Sequence, residues 1–189
     1  MKSLWIGLPL AASALACAGV CRADDASLGV FAHDVPWMGQ RVHEGGDDLT
    51  ATWASQPVSA PFLLGTPSVY VTGAKNLQGK TDFAAAGLRW KYNLGKRLYI
   101  QPGIGMSVND APMKPEPGRI WAGSHFGFEP ELSAGVNLTK RISIEVTAMH
   151  MSHAYLFASR NPGLNEIGLR TVIHFDRASL FRRLRGQQD

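Results

Sequence analysis

The chain has 189 residues, of which 45% are hydrophobic and 18% are charged, and its formal net charge is +4. That length fits one domain of ordinary size, and the dispersed basic residues form no stripe of the kind that binds nucleic acid. Beyond the N-terminal segment no run approaches the roughly 18 consecutive apolar residues of a transmembrane helix, so any insertion into a membrane must use strands.

The N-terminal segment has the features of a secretory signal peptide. A short start with one lysine is followed by a mostly apolar stretch over residues 4–20, and small residues precede Asp24. We therefore expect a signal peptide over residues 1–23, cleaved after Ala23. A lipoprotein signal that uses Cys17 is the alternative, although alanine stands where the lipobox prefers leucine. Both cysteines of the chain lie in this segment, which leaves none for a disulfide or a thiolate metal site.

Eight later segments alternate apolar and polar residues with a period of two, which is typical of β-strands. They cover residues 27–33, 49–53, 67–73, 83–92, 98–108, 126–138, 142–152 and 165–175. Turn-forming residues separate them, and the longest loop, residues 109–125, carries three prolines. Pro102 inside the fifth segment predicts a bulge or a frayed edge, because proline donates no hydrogen bond to a strand ladder.

One face of these strands is apolar, whereas the other collects glycine, alanine and charged residues. The charged members of that second face are Arg89, Lys91, Glu129, Glu131, Glu145, Glu166 and Arg170. A water-soluble barrel of the lipocalin type would need more charge on its outer surface than these small residues provide. Small residues between paired ions instead favour the lumen of a narrow membrane barrel. We therefore predict an all-β fold, an eight-stranded antiparallel transmembrane β-barrel over residues 24–175, in the bacterial outer membrane.

The barrel prediction also orients the rest of the chain. Short turns after Asn93 and Leu138 would face the periplasm, and the long loops would face the exterior. Aromatic residues near the strand ends would lie at the membrane interfaces: Trp53, Trp90 and Tyr92. Residues 176–189 contain four arginines among apolar residues, and they predict either a short amphipathic helix at the inner-leaflet surface or a solvated tail.

The last two predicted strands carry the candidate chemistry. His150 and Ser152 are two residues apart in one strand, so their side chains share a face and lie within hydrogen-bonding reach of each other. A base beside a hydroxyl is the minimum for an activated serine, and the next strand returns Asn165 to the same face. Such a pair can be incidental, but polar groups at the rim of an apolar row are poor choices for burial alone.

The other polar clusters are interpreted as structural. Glu129, Glu131 and Glu145 are a candidate set of paired carboxylates for catalysis, yet on the inner face we expect them to neutralise arginine and lysine side chains. The remaining histidines have no recurring ligand spacing, so we expect no metal site and no cofactor: His33, His43, His125 and His174.

At His150-x-Ser152, Ala154 and the Asn-Pro-Gly-Leu-Asn run of residues 161–165, the sequence resembles the lipid A 3-O-deacylase (PagL) family of outer-membrane acyl hydrolases. The resemblance implies an eight-stranded barrel that hydrolyses the ester-linked acyl chain at the 3-position of lipid A without a metal. It implies that lipopolysaccharide is the substrate, Ser152 the nucleophile and His150 the general base. The family commonly has asparagine after the serine, where this chain has His153. His153 is therefore the candidate for stabilising the oxyanion.

The third member of the triad also departs from the family pattern, which places a glutamate two positions after a glycine. Counted from Gly163 that position is Asn165, and Glu166 comes one residue late. Since one residue reverses the face of a strand, Glu166 should point into the lumen toward groups such as Arg170. We therefore predict that Asn165 orients His150. A bulge that turns Glu166 outward and makes it the third member is the alternative.

Two other functions fit the predicted fold. A non-enzymatic small outer-membrane barrel would serve adhesion or membrane structure through its loops, and His150 and Ser152 would then be incidental. An outer-membrane phospholipase would use the same nucleophile on a glycerophospholipid. Loss of one 3-hydroxyacyl group from lipid A distinguishes the deacylase from both.

Overall fold

The computed structural model describes residues 23–36, 44–59 and 64–175. Its strand segments are β1 (Ala23–Ala32), β2 (Asp47–Ser55), β3 (Ser68–Asn76), β4 (Phe83–Arg89), β5 (Tyr92–Asn93), β6 (Leu98–Asn109), β7 (Phe126–Asn137), β8 (Ile142–Met151) and β9 (Leu164–His174). In the described ranges no helix has the length and apolar character needed to cross a membrane. The predicted signal peptide, apart from its last residue, and the tail of residues 176–189 lie outside the described residues, so both stay predictions.

The strands form one antiparallel sheet that closes on itself. Neighbours in the chain pair with each other, the first strand pairs with the last, and β4 pairs with β6. The short β5 continues the line of β4 along β6 in the same register, so the nine segments make eight barrel strands. The predicted eight-stranded antiparallel barrel is confirmed.

The break between β4 and β5 lies opposite Pro102 of β6. Trp90 donates its backbone N–H to the carbonyl of Pro102 at 2.9 Å, but proline has no N–H to return. We predicted a bulge or a frayed edge at Pro102, and that prediction is wrong for its own strand. The register of β6 with β7 runs unbroken through Pro102, which pairs with Leu132. The missing hydrogen bond interrupts the partner strand instead.

Side chains alternate between an exposed apolar outer surface and a buried polar lumen. Large aliphatic residues on the outer surface are exposed, for example Leu28 at 64% and Leu169 at 57%. Inward residues are polar yet buried, including Thr50, Gln101 and Ser133. The predicted assignment of the two faces is therefore correct, since a water-soluble barrel would have the opposite arrangement.

The buried Arg170 organises one ion network in the lumen. Its guanidinium donates to the carboxylate of Glu145, to Glu131 at 3.3 Å and to the hydroxyl of Ser133 at 2.9 Å. A charged hydrogen-bond network of this kind compensates for the loss of hydration on burial. The predicted structural role of Glu131 and Glu145 agrees with these contacts.

Other charged residues of the inner face have partners that we did not predict. Glu129 accepts a hydrogen bond from the hydroxyl of Tyr70 rather than from an arginine. Arg89 pairs with Asp25 at 3.4 Å, and the exposed Lys91 places its ammonium 3.8 Å from the centroid of an aromatic ring. Period-two alternation predicts the face of a residue, whereas the stagger of strands across the barrel decides which side chains meet in the lumen.

Glycines leave room in the lumen for aromatic rings. A Cβ added at Gly135 of β7 would overlap the ring of Tyr99, whose hydroxyl donates to Glu145 at 2.7 Å. The small residue at position 135 is therefore required by the packing of Tyr99.

We expect Gly135→Ala to destabilise the barrel by about 1–3 kcal/mol, because an overpacked buried ring must shift together with its hydrogen bond. Thermal unfolding of the detergent-solubilised protein, followed by circular dichroism, measures the change. Gly73→Ala is the matched control, since a Cβ added at Gly73 has no atom within 4 Å. Equal stability of the two variants would contradict the packing argument.

The two ends of the barrel carry different connections. The turns at residues 94–97 and 138–141 lie at one end, together with the longer connection between β2 and β3. The strand ends joined by the β1–β2, β3–β4, β6–β7 and β8–β9 connections lie at the other end, which we call the loop end. Strand β8 ends and β9 begins at the loop end, so all candidate catalytic residues lie there.

Candidate active site

His150 and Asn165 face each other across the last hairpin. They are paired in the register of β8 and β9, and the ring Nδ1 of His150 lies 2.6 Å from the amide oxygen of Asn165. Because that oxygen only accepts, Nδ1 carries the proton and donates it, which leaves Nε2 as the basic nitrogen in the neutral ring. The backbone N–H of Val35 donates to the carbonyl of Asn165 at 2.9 Å and fixes this end of β9.

Glu166 points to the opposite side of the sheet. The pairing of β8 with β9 runs without a shift from Ile142 to Met151, so the structure has no bulge that would turn Glu166 outward. Its side chain is 1% exposed and lies in the lumen, 3.3 Å from Nδ1 of His33. The predicted direction of Glu166 agrees with the structure, but the predicted neighbour, Arg170, is wrong. Arg170 is held by other glutamates.

Ser152 lies one residue beyond the end of β8. Its backbone forms two hydrogen bonds with Phe128 of β7, at 2.7 and 3.1 Å, which hold the serine at the rim. The residue is half-buried on the same outward side as His150. Among the described residues no hydrogen bond joins the Ser152 hydroxyl to the His150 ring. Catalytic hydrogen bonds are commonly long without substrate and tighten when it binds.

The ring of His153 is directed away from solvent. It is 2% exposed, and its Nε2 lies 3.1 Å from the carbonyl of Ala122 and 2.9 Å from that of Arg160. Carbonyl oxygens accept hydrogen bonds, so Nε2 carries the proton and donates it to them. The backbone N–H of His153 donates to the side chain of Asn161 at 3.1 Å. The ring joins two loops, and its Nε2–H is not available to an oxyanion.

The segment after His153 forms a tight turn with an exposed apolar surface. Ala154 and Tyr155 adopt left-handed backbone conformations, with φ of 50° and 59°. Such conformations are uncommon outside glycine, and they cluster at functional sites. Tyr155, Leu156 and Phe157 are 67%, 67% and 52% exposed. The rim beside Ser152 therefore presents large apolar groups rather than charge.

A polar cluster in the lumen at the loop end was not predicted. His33 follows β1 and is buried, with its ring nitrogens 2.9 Å from Asp48, 3.0 Å from Glu44 and 3.3 Å from Glu166. These residues are far apart in sequence, so ligand spacing gave no indication of them. The sequence did contain one indication of the cluster. Strand alternation directs Asp48 and Glu166 into the lumen, and His33 lies at the end of a predicted strand.

Glu44 joins this cluster to three loops. Burial raises its pKa, but hydrogen bonds from the His33 ring, the Ile120 and Thr81 backbones and the Arg119 side chain outweigh burial and lower the pKa to about 2. The guanidinium of Arg119 lies 3.0 Å from the carboxylate. Glu44 is therefore a permanent anion that ties together the connections after β1, β3 and β6.

The other predicted structural histidines lie away from this cluster. His125 donates from Nδ1 to the carbonyl of Asn109 at 3.0 Å, and His174 pairs with Asp25 at 2.5 Å. His43 lies outside the described residues.

Comparison with known proteins agrees with the barrel geometry. The family model described as lipid A 3-O-deacylase (PagL) matches residues 37–174. A crystal structure of the outer membrane enzyme PagL superposes with a TM-score of 0.56 at 19% identity, covering 80% of this chain and 99% of that one. The backbone structure of the Yersinia pestis outer membrane protein Ail gives a TM-score of 0.46 at 10% identity, with 79% and 98% covered. A search of curated proteins finds no significant match.

Proposed function

The chain belongs to the lipid A 3-O-deacylase (PagL) family, and from this premise we propose that it is an outer-membrane esterase that removes the 3-O-linked acyl chain of lipid A. The observation that carries the proposal is the outward-facing pair of His150 and Asn165, which lies beside Ser152 at the apolar rim. This pair leaves a basic imidazole nitrogen on the side of the barrel where a membrane lipid would approach.

The outer surface of the barrel supports a location in the membrane. Exposed aliphatic residues surround the strands, and a surface of this kind is stable against lipid rather than water. With the short turns in the periplasm, the loop end reaches the outer leaflet, where lipopolysaccharide resides. Tyr155, Leu156 and Phe157 then offer apolar contacts to acyl chains, so a lipid ester enters the site without leaving the leaflet.

In the proposed reaction, Ser152 is the nucleophile and His150 the general base. The hydroxyl oxygen attacks the ester carbonyl while Nε2 of His150 takes its proton, and collapse of the tetrahedral intermediate returns that proton to the leaving 3-hydroxyl group. Water then attacks the acyl-serine with His150 again as base, which releases the fatty acid and regenerates Ser152. Asn165 keeps the proton on Nδ1 throughout.

Backbone groups are the donors that we propose for the oxyanion. The N–H groups of Ala154 and Tyr155 follow Ser152 in the left-handed turn, and neither donates to another described residue. Fixed backbone donors beside a nucleophile stabilise the charge that develops on the carbonyl oxygen. The ring of His153, which we predicted for this role, instead holds the turn in place through its hydrogen bonds.

Mass spectrometry of lipid A tests the proposed function. We expect lipid A from cells that produce the protein to lack one 3-hydroxyacyl group that matched cells without it retain. Unchanged lipid A together with released fatty acid from phospholipids would support the phospholipase alternative. No change in either lipid class would support a non-enzymatic barrel and contradict the proposal.

A further inference from the structure

We propose that the lumen at the loop end holds a divalent cation of the Zn²⁺ type, with His33, Asp48 and Glu166 as ligands. The three ligand atoms lie within 4.8 Å of one another, and all three residues are buried. The imidazole Nδ1 of His33 is 2.9 Å from Asp48 and 3.3 Å from Glu166. Zinc bonds of about 2.1 Å in a tetrahedral arrangement separate ligand atoms by roughly 3.4 Å, so small shifts bring the three atoms into coordination.

Glu166 gives an independent indication of a ligand. Its side chain is 1% exposed and directed into the cluster, yet neither carboxylate oxygen accepts a hydrogen bond from any described residue. A buried carboxylate without donors is costly as an anion, so it either takes up a proton or binds a cation that compensates for its lost hydration. Two oxygens without donors also allow Glu166 to bind a cation through both, which supplies a fourth ligand atom.

Glu44 holds His33 in the orientation that a metal requires. Nε2 of His33 lies 3.0 Å from a carboxylate oxygen of Glu44, which accepts its proton. Glu44 is itself fixed by the backbone N–H groups of Thr81 and Ile120 at 2.9 and 2.6 Å. With the proton on Nε2, the lone pair of Nδ1 points toward Asp48 and Glu166. A carboxylate that accepts from the far nitrogen of a ligating histidine is the usual outer partner in zinc sites.

Asp48 is likewise prepared for coordination through one oxygen. Its Oδ1 accepts from the side chain of Asn76 at 2.8 Å, which leaves Oδ2 directed at His33. The competing occupant of the site is a proton on Nδ1 of His33, donated to Asp48. That arrangement makes His33 an imidazolium, which donates to Asp48 and lies 3.3 Å from one oxygen of Glu166 as an ion pair, but neither oxygen of Glu166 then accepts a hydrogen bond. A metal ion would instead bond directly to all three residues.

The mixed donor set selects the class of ion. Imidazole suits zinc and other transition metals, whereas calcium and magnesium prefer oxygen ligands alone. The ligands come from the connection after β1, from β2 and from β9, so a bound ion would join the first, second and last barrel strands at the loop end. Because Glu166 follows Asn165 directly, the ion would also stabilise the strand position that holds the catalytic pair.

Zinc titration of the full-length protein, folded in detergent and treated with a chelator, tests the site without reference to its enzymatic activity. We expect calorimetry and elemental analysis to give one Zn²⁺ per chain, a higher thermal transition with zinc, and no comparable effect of Mg²⁺. Glu166→Gln should weaken zinc binding at least 100-fold, and Glu44→Gln about 10–100-fold. Glu129→Gln, which alters a buried carboxylate of a different network, is the matched control and should bind zinc normally.

Absence of stoichiometric zinc binding by the unaltered protein would overturn the proposal, as would equal affinity in Glu166→Gln. If Glu166→Gln does not fold, Asp48→Asn is the second variant, with the same expected loss. Lipid A deacylation by a protein that binds no zinc would reject the cation site and leave the proposed function intact. Zinc binding by a protein without deacylase activity would support the cation site and contradict the proposed function.

Discussion

Ser152→Ala and His150→Ala are each expected to lower deacylation of lipid A by several orders of magnitude while the barrel still folds. Loss of a nucleophile or its base removes the covalent route, and the effects of such residues are large and not additive. Both side chains lie on the outward side of the rim, so they contribute little to closure of the barrel. The double variant should therefore be about as inactive as either single variant.

Release of the 3-hydroxy fatty acid from purified lipopolysaccharide in detergent measures this loss, and heat-modifiable migration on gels reports folding. Ser159→Ala is the matched control, because Ser159 is an exposed serine of the same loop. That variant should retain full activity. Activity near the unaltered level in Ser152→Ala would remove Ser152 as the nucleophile, whatever the effect of His150→Ala.

The barrel was predictable from the sequence because the pattern that indicates it is contained within each single strand. A period of two repeats within each strand, and a narrow barrel requires small or polar residues inside and apolar residues outside. The division of the fourth strand was not predictable in the same way, because its cause, Pro102, belongs to the neighbouring strand. Partners in the lumen depend on the stagger of strands that are distant in the chain.

The positions of the site residues were predictable only where the alternation of side chains along one hairpin decides which residues lie side by side. The placement of Asn165 beside His150 follows from counting residues along one hairpin, and the structure has that placement. The burial of His153 depends on carbonyls from two loops, including that of Ala122 in a long connection. The cluster around His33 combines three strands or their ends, and no window of sequence contains it.

Asn165, the proposed third member of the triad, is the position of the second large expected effect. We expect Asn165→Ala to lower turnover about 10²- to 10⁴-fold, because the His150 ring then loses the acceptor that fixes its tautomer and orientation. Glu166→Gln should retain turnover within a few-fold once folded, since its side chain faces the lumen and the β8–β9 pairing and the Val35 N–H hold Asn165 even without a bound ion. Both variants are compared by lipid A turnover after equal amounts of folded protein have been established. If Glu166→Gln alone is inactive while folded, and Asn165→Ala is normal, Glu166 is the third member.

Asn165→Asp separates orientation from charge at this position. An amide oxygen accepts from Nδ1 of His150 but adds no negative charge to stabilise the imidazolium that forms during attack, whereas a carboxylate does both. We therefore expect Asn165→Asp to raise kcat above that of the unaltered protein, with KM little changed because the side chain at residue 165 is only 5% exposed. A fall in kcat to the level of Asn165→Ala would mean that position 165 does not orient His150. If kcat rises as expected, Asn165 supplies the orientation of the base but not its electrostatic stabilisation.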